Sequence, residues 1–343
     1  VINQHTENIL KHQLETTLDT GYQFSWFDWF CLYYPPGWLI LLNRHWQHYH
    51  SDPDGWNWLE YILFLIPGGF YLALLIRWLR LRCRSPRKEV GEFNLKYQQA
   101  FRHEVLAPIV QYYFRGDLQQ IENLPQTGPM IVAMNHAGMS FPWDFISLGY
   151  LLSETRGWVV QPLANVSLFE HPWMIWWLPP QWSQVLGGVR AKIGDFEAAI
   201  AQGKILLYAP EGVRGPAKGW RQRYQLQKFD VSFIQLSDRY HIPILPVLCI
   251  GSESLHPWTI NIKKFQKLIK LPFVPISPLM FMLLLFPSMG VWAMRTRLQY
   301  FIQPLKRDIN SGQDRASTYQ QAQKLREKLQ SQLNQILGIA NCK

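Results

Sequence analysis

Residues 130–144 read MIVAMNHAGMSFPWD, and the fold is read from this stretch. Met130 to Met134 is a run of five apolar residues, short enough for a strand. Asn135 and His136 follow at its exit. Gly138 then permits a turn, and Pro142 is suited to open a helix with Asp144 in its first turn. On one continuous helix, eight positions would part His136 from Asp144 by roughly 12 Å along the axis. The glycine and the proline instead predict a loop that brings them together. A neutral imidazole has an unperturbed pKa of about 6.5 and suits removal of a proton from a hydroxyl. A carboxylate on its second nitrogen would fix the tautomer and stabilise the imidazolium. His136 is therefore read as a base and Asp144 as its orienting partner.

Outward from this stretch the pattern alternates. A helical run is predicted over Phe93 to Tyr113. Strands are predicted at Trp158 to Gln161, Ile205 to Ala209, Ile244 to Ile250 and Arg297 to Gln303. Helices fall between them at Phe145 to Leu152, Asp195 to Gln202 and Leu226 to Tyr240. This predicts an α/β fold with a single mixed, largely parallel sheet flanked by helices. Sites in such sheets lie at the carboxyl ends of the strands, where His136 stands. A second polar turn, Tyr208 to Gly215 (YAPEGVRG), also leaves a strand directly and supplies Glu211, Gly212 and Arg214.

Taken in order, four motifs resemble the glycerolipid acyltransferase superfamily, related to lysophosphatidate acyltransferase. Asn135-His136 with Asp144 resembles the first, although seven residues intervene where the family has four, and Phe141 stands where the common pattern has its aspartate. Gly187-Gly188-Val189-Arg190 is similar to the second. Ala209 to Gly215 resembles the third, usually Phe-Pro-Glu-Gly-Thr-Arg-Ser, with both hydroxyls missing. Ile244-Leu245-Pro246-Val247 is similar to the fourth. The Gly-Val-Arg turn and the Phe229 to Ser254 stretch lean toward the branch with diacylglycerol acyltransferases and phytyl ester synthases, which accepts neutral alcohols.

The resemblance implies an enzyme, an O-acyltransferase. It moves a fatty acyl group from acyl-CoA or acyl carrier protein to a hydroxyl of a glycerolipid (lysophosphatidate or diacylglycerol) or another lipid alcohol. It implies His136 and Asp144 as catalytic, and Asn135, Arg190, Glu211, Gly212 and Arg214 as substrate-binding, with no metal or organic cofactor needed. A non-catalytic lipid-binding or scaffolding protein on the same fold is the rival reading. A serine hydrolase ranks last, since the chain has no Gly-x-Ser-x-Gly turn.

Composition sets the surroundings. The chain has 343 residues, 48% hydrophobic and 15% aromatic, with 16 tryptophans, which suits a protein at a lipid–water boundary. Two aromatic-rich stretches, Phe24 to Leu42 and Trp56 to Ile76, are each broken near the middle, by Pro35-Pro36-Gly37 and Pro67-Gly68-Gly69. The expectation is monotopic membrane association, with a single crossing near Trp56–Ile76 as competitor and a buried helix pair as the plain alternative. Six positive charges in the twelve residues from Arg77 to Lys88 place this side at the cytoplasmic face.

Three regions are expected: a membrane-associating helical region over residues 1–90, an α/β domain over 91–310, and an amphipathic helix over 311–343. The polar N-terminus lacks the apolar run of a secretory signal. The scattered Cys31, Cys83, Cys249 and Cys342 read as reduced and cytosolic. His45, His48 and His50 are read as a polar surface loop rather than a metal site. The net charge of +10 admits nucleic acid, but no nucleic-acid motif accompanies it. Eight Lys or Arg against three acids between Leu186 and Lys228 are expected to draw a phosphorylated carrier.

Overall fold

A computed structural model describes residues 21–87, 92–137, 141–164, 176–178, 182–190, 192–258, 260–261, 275–276, 280–307 and 315–338. Nine strands are described: β1 (Asp117–Gln119), β2 (Met130–Met134), β3 (Val160–Ala164), β4 (Val189–Arg190), β5 (Ile205–Tyr208), β6 (Ile244–Ile250), β7 (Ile260–Asn261), β8 (Pro275–Ile276) and β9 (Gln299–Ile302). Seven form one sheet in the order β1-β9-β6-β2-β5-β3-β4, and β7 and β8 pair separately. Only the β6–β9 pair is antiparallel in the large sheet, so it is mixed and largely parallel.

β2 lies at the centre with every residue buried, between parallel neighbours β5 and β6. Parallel strands covered on both faces need such unbroken apolar runs, which is why Met130 to Met134 is legible as a strand. β1 and β4 have three and two residues, too few to carry a periodicity, and sequence reading misses them.

Helices cover both faces. The chain builds α1 (Trp26–Tyr33), α2 (Trp38–Tyr49), α3 (Trp58–Phe64), α4 (Gly69–Arg80) and α5 (Leu95–Phe101), the last continuing to Tyr113 through two π-type turns. Then come α6 (Trp143–Arg156), α7 (Ile193–Ala201), α8 (Ser232–Tyr240) and the long α9 (Arg315–Ile336). One core cluster runs from α2 through β2 and α6 to β9, so the first helices share a core with the sheet. A second cluster, on the other face, packs α7, α8 and α9.

The two aromatic stretches have different fates. In the first, Trp38 to Leu42 are all buried, and α2 is an internal helix. The second folds into α3 and α4, which break at Pro67 and pack on each other. Among the described residues no helix is long and apolar enough to cross a membrane. The outer face of this pair exposes Trp58, Leu59, Ile62, Tyr71, Leu72, Leu75 and Leu79, and α1 adds Trp26 at 80% exposure. The apolar segment Met280–Leu285 joins the same patch, since the Leu284 and Leu285 carbonyls accept from the Tyr71 hydroxyl (2.8 Å) and the Gly68 N–H (3.1 Å).

Two expectations change. His45, His48 and His50 do not sit on a surface loop: His45 and His48 lie in α2 and His50 at its end, with His45 fully buried and its Nε2 2.9 Å from Glu104. The basic run that begins in α4 is partly paired within the protein, one of its arginines being buried. Arg77 is buried over the Trp56 ring, Arg80 binds Glu60, and Arg84 makes a paired contact with Asp54. Arg77 is therefore withdrawn from the surface, and Arg80 and Arg84 stay exposed but matched by carboxylates. Lys88 lies outside the described residues.

Candidate active site

The registry of the sheet sets the site. Ala133 on β2 pairs with Tyr208 on β5, so His136 and Glu211, each three residues further on, leave the same edge at the same level. On the other side Met134 pairs with Val247 of β6, which brings the loop after β6 to that edge too. Three loops at the carboxyl ends of adjacent strands thus converge, as expected for an open α/β sheet.

His136 and Asp144 meet. The imidazole Nδ1 lies 3.0 and 2.9 Å from the two carboxylate oxygens of Asp144. Pro142 immediately precedes α6 and Asp144 falls in its first turn, where a carboxylate is favoured by the helix dipole. Gly138 lies outside the described residues. Asp144 is fully buried and accepts further from the N–H groups of Ala137 (3.3 Å) and Phe145 (3.0 Å). The Phe145 ring meets the imidazole edge-on at 4.8 Å, and the Tyr300 hydroxyl donates to the Asp144 carbonyl at 2.7 Å. With Nδ1–H given to Asp144, the lone pair of the neutral ring is on Nε2.

The charges around the ring oppose one another. Burial disfavours the imidazolium, but the Asp144 carboxylate outweighs it by charge and hydrogen bond. Glu211 adds to that support, Lys218 opposes it, and His136 titrates above its ordinary value. Burial likewise pushes Asp144 upward, yet His136 and the two backbone donors leave it below the usual carboxylate range.

The second turn packs directly on the first. Gly212 has φ +54°, the left-handed conformation that glycine adopts without a steric penalty. At Gly215 a Cβ would come within 2.1 Å of the His136 carbonyl oxygen, so no larger residue fits without moving one loop. The sequence marks Gly215 only as a lost hydroxyl. In the structure it permits the contact between the two motifs.

Glu211 is buried, and its Oε2 accepts from the Gln227 N–H at 2.6 Å. Burial raises its pKa against the pull of Lys218 and of that N–H. Arg214 is exposed and donates to the Lys228 carbonyl at 3.1 Å. Asn135 has both polar atoms of its amide engaged with the Cys249 backbone (3.0 and 2.7 Å), tying the end of β2 to β6. Its contact is thus with the neighbouring strand, and it bears on the site by fixing where His136 emerges. Arg190 ends β4, paired with Ala164 of β3 at the same sheet edge, and its side chain lies outside the described residues. With strands about 4.8 Å apart, its backbone stands roughly 14 Å from β2.

Sequence reading missed Lys218, Glu253 and His256. Lys218 Nζ lies 2.6 Å from Glu253, with both side chains almost fully buried, so this lysine belongs to an internal pair and is not free to draw a carrier. Together with Ala137, Gly215, Trp220 and His256, these two residues line a small cleft beside the dyad.

An open α/β sheet with a histidine–aspartate centre at the carboxyl edge of its middle strands defines a class in which a buried carboxylate supports one ring nitrogen and the other is left for a proton. Residues 115–250 match the family model described as Acyltransferase. Uncharacterized proteins of Mycobacterium tuberculosis and Mycobacterium leprae are 28% and 27% identical over 197 residues, 55% of this chain. The chain spans about half the length of these curated relatives, 53% and 52%. Among solved structures, the 1-acyl-sn-glycerophosphate (LPA) acyltransferase PlsC from Thermotoga maritima is similar at 16% identity with a TM-score of 0.41, over 88% of this chain and 98% of that one.

Proposed function

We propose that this protein is a membrane-associated O-acyltransferase that moves a fatty acyl group from an acyl thioester to a lipid hydroxyl. The observation that carries the reading is the His136–Asp144 pair, 2.9 Å apart, pressed against the Gly215 turn of the second motif. In the proposed reaction Nε2 of His136 removes the acceptor's hydroxyl proton as its oxygen attacks the thioester carbonyl. Asp144 stabilises the imidazolium that forms. Collapse of the tetrahedral adduct breaks the C–S bond, and the departing thiolate takes the proton back from His136, which balances the transfer. The reaction as written uses no metal or organic cofactor.

The donor is acyl-CoA or acyl carrier protein. Arg190, some 14 Å from the central strand, suits the phosphate end of such a long donor better than the reacting ester. For the acceptor, Val213 and Gly215 bring no hydroxyl donors, Arg214 is turned to a backbone carbonyl, and Lys218 is matched by Glu253. These features support an uncharged alcohol such as diacylglycerol over lysophosphatidate, in keeping with the diacylglycerol acyltransferase and phytyl ester synthase branch. Association with a membrane is supported by the exposed apolar face of α1, α3, α4 and Met280–Leu285, which presents wide aromatic and aliphatic side chains, and the basic residues from Arg77 onward favour its cytoplasmic face.

The test is one incubation. Purified protein is mixed with labelled acyl thioester and a panel of lipid alcohols, and products are read by mass spectrometry. Ester formation supports the reading, whereas lipid binding without ester supports a scaffolding role instead.

A further inference from the structure

We infer that α9 is part of the catalytic apparatus as a positioning element, and that Gln330 on it holds the peptide 224–229, which in turn orients the buried carboxylates of Glu211 and Glu253. This rests on the reading of the site as a transferase centre.

The peptide is held along two edges. On the site side, the Tyr224 N–H donates to Glu253 Oε1 (3.1 Å) and the Gln225 carbonyl accepts from Lys218 Nζ (3.4 Å). The Gln227 N–H donates to Glu211 Oε2 (2.6 Å), and the Lys228 carbonyl accepts from Arg214 (3.1 Å). On the helix side, Gln330 donates from Nε2 to the Tyr224 carbonyl (2.9 Å) and accepts at Oε1 from the Leu226 N–H (2.6 Å). Arg326 donates to the Leu226 carbonyl (3.1 Å) and Gln323 to the Phe229 carbonyl (3.3 Å). Gln330 is itself steadied by Asn334, 2.9 Å from its Nε2.

The alternation has a consequence. Groups that face Glu211, Glu253 and Lys218 are interleaved with groups that face α9, so the peptide cannot shift off the helix without withdrawing the donors from the site. A side-chain amide bridging a backbone carbonyl and an N–H two residues apart fixes both position and rotation of that peptide. α9 itself is anchored by Ala322, Leu329 and Leu333 in the second core cluster, which also holds Leu226 and Phe229 of the peptide, whereas the backbone clamp is made by Gln330. The anchor and the clamp therefore lie on different residues and can be separated by substitution.

The experiment uses the full chain and two readouts. One is kcat and KM for ester formation as a function of pH. The other is the titration of His136, followed by NMR with histidine carbon labelling and assigned by loss of the signal in His136→Gln. Withdrawing the Gln227 N–H favours protonation of Glu211, which removes negative charge from beside His136. Gln330→Ala is expected to lower the His136 titration midpoint and reduce kcat/KM by roughly tenfold. Gln330→Glu, which keeps the acceptor and loses the donor, should recover part of both. Leu333→Val trims the apolar packing of the same helix while keeping the Gln330 amide and its two backbone partners, and should lower the melting temperature but leave the His136 midpoint in place.

Equal midpoints in Gln330→Ala and wild type, or equal displacement in Gln330→Ala and Leu333→Val, would overturn the inference. If the wild-type protein forms no ester, the transferase reading fails, and the NMR titration still decides whether Gln330 governs the site.

Discussion

Replacing Asp144 by Asn removes one charge from a fully buried position and leaves the shape almost unchanged. In the native site the imidazolium is opposed by burial and supported chiefly by Asp144, at 2.9 and 3.0 Å. With an amide there, burial is left with only Glu211 against it, so the His136 pKa should fall from above its ordinary value to below it. A base must be deprotonated to act, so the acid limb of kcat/KM should move to lower pH. The plateau should fall as well, because the imidazolium that develops in the transition state loses its counter-charge. Hydrogen bonds to charged groups contribute about 1.5–3 kcal/mol, equivalent to roughly 10- to 150-fold in rate. The amide also has one acceptor oxygen where the carboxylate serves both Ala137 and Phe145, which costs about 1–2 kcal/mol of stability. The assay is ester formation over about pH 5 to 9, with circular dichroism to verify folding. An unshifted or upward-shifted acid limb in a folded Asp144→Asn protein would refute the assigned roles.

Other expectations follow from the same geometry. Gly215→Ala should cut turnover about 100-fold, since a Cβ 2.1 Å from the His136 carbonyl must displace one motif against the other; wild-type turnover in that variant would remove the contact from the account. Trp58→Glu combined with Leu72→Glu should leave the fold intact, because both side chains are about half exposed, yet weaken binding to lipid vesicles at least tenfold in co-sedimentation. Unchanged vesicle binding would move the membrane contact to another surface.

The sequence is informative where local and global preferences agree. Met130 to Met134 has one sensible reading as a covered strand, and His136 then falls at the sheet edge whatever the rest of the chain does. The long gap to Asp144 is bridged because Pro142 leads directly into the helix that carries the aspartate. Other features depend on contacts between distant residues and leave little local trace. β4 is two residues long, and the histidines of α2 look polar in sequence although His45 is buried against Glu104, some sixty residues away. Arg77, Arg80 and Arg84 read as a basic surface run, and only the folded chain brings Asp54 and Glu60 beside them. The supports from Lys218, Glu253 and Gln330 are of this kind as well.

In the proposed reaction His136 is the base of an acyl transfer. The most direct measurement of that role compares wild type with His136→Ala using labelled acyl thioester and the preferred lipid alcohol, both proteins being folded and equally bound to vesicles. Ester is expected from the wild type, with a loss of at least ~10² to 10⁴-fold in the variant. Near-normal turnover without that imidazole would contradict it.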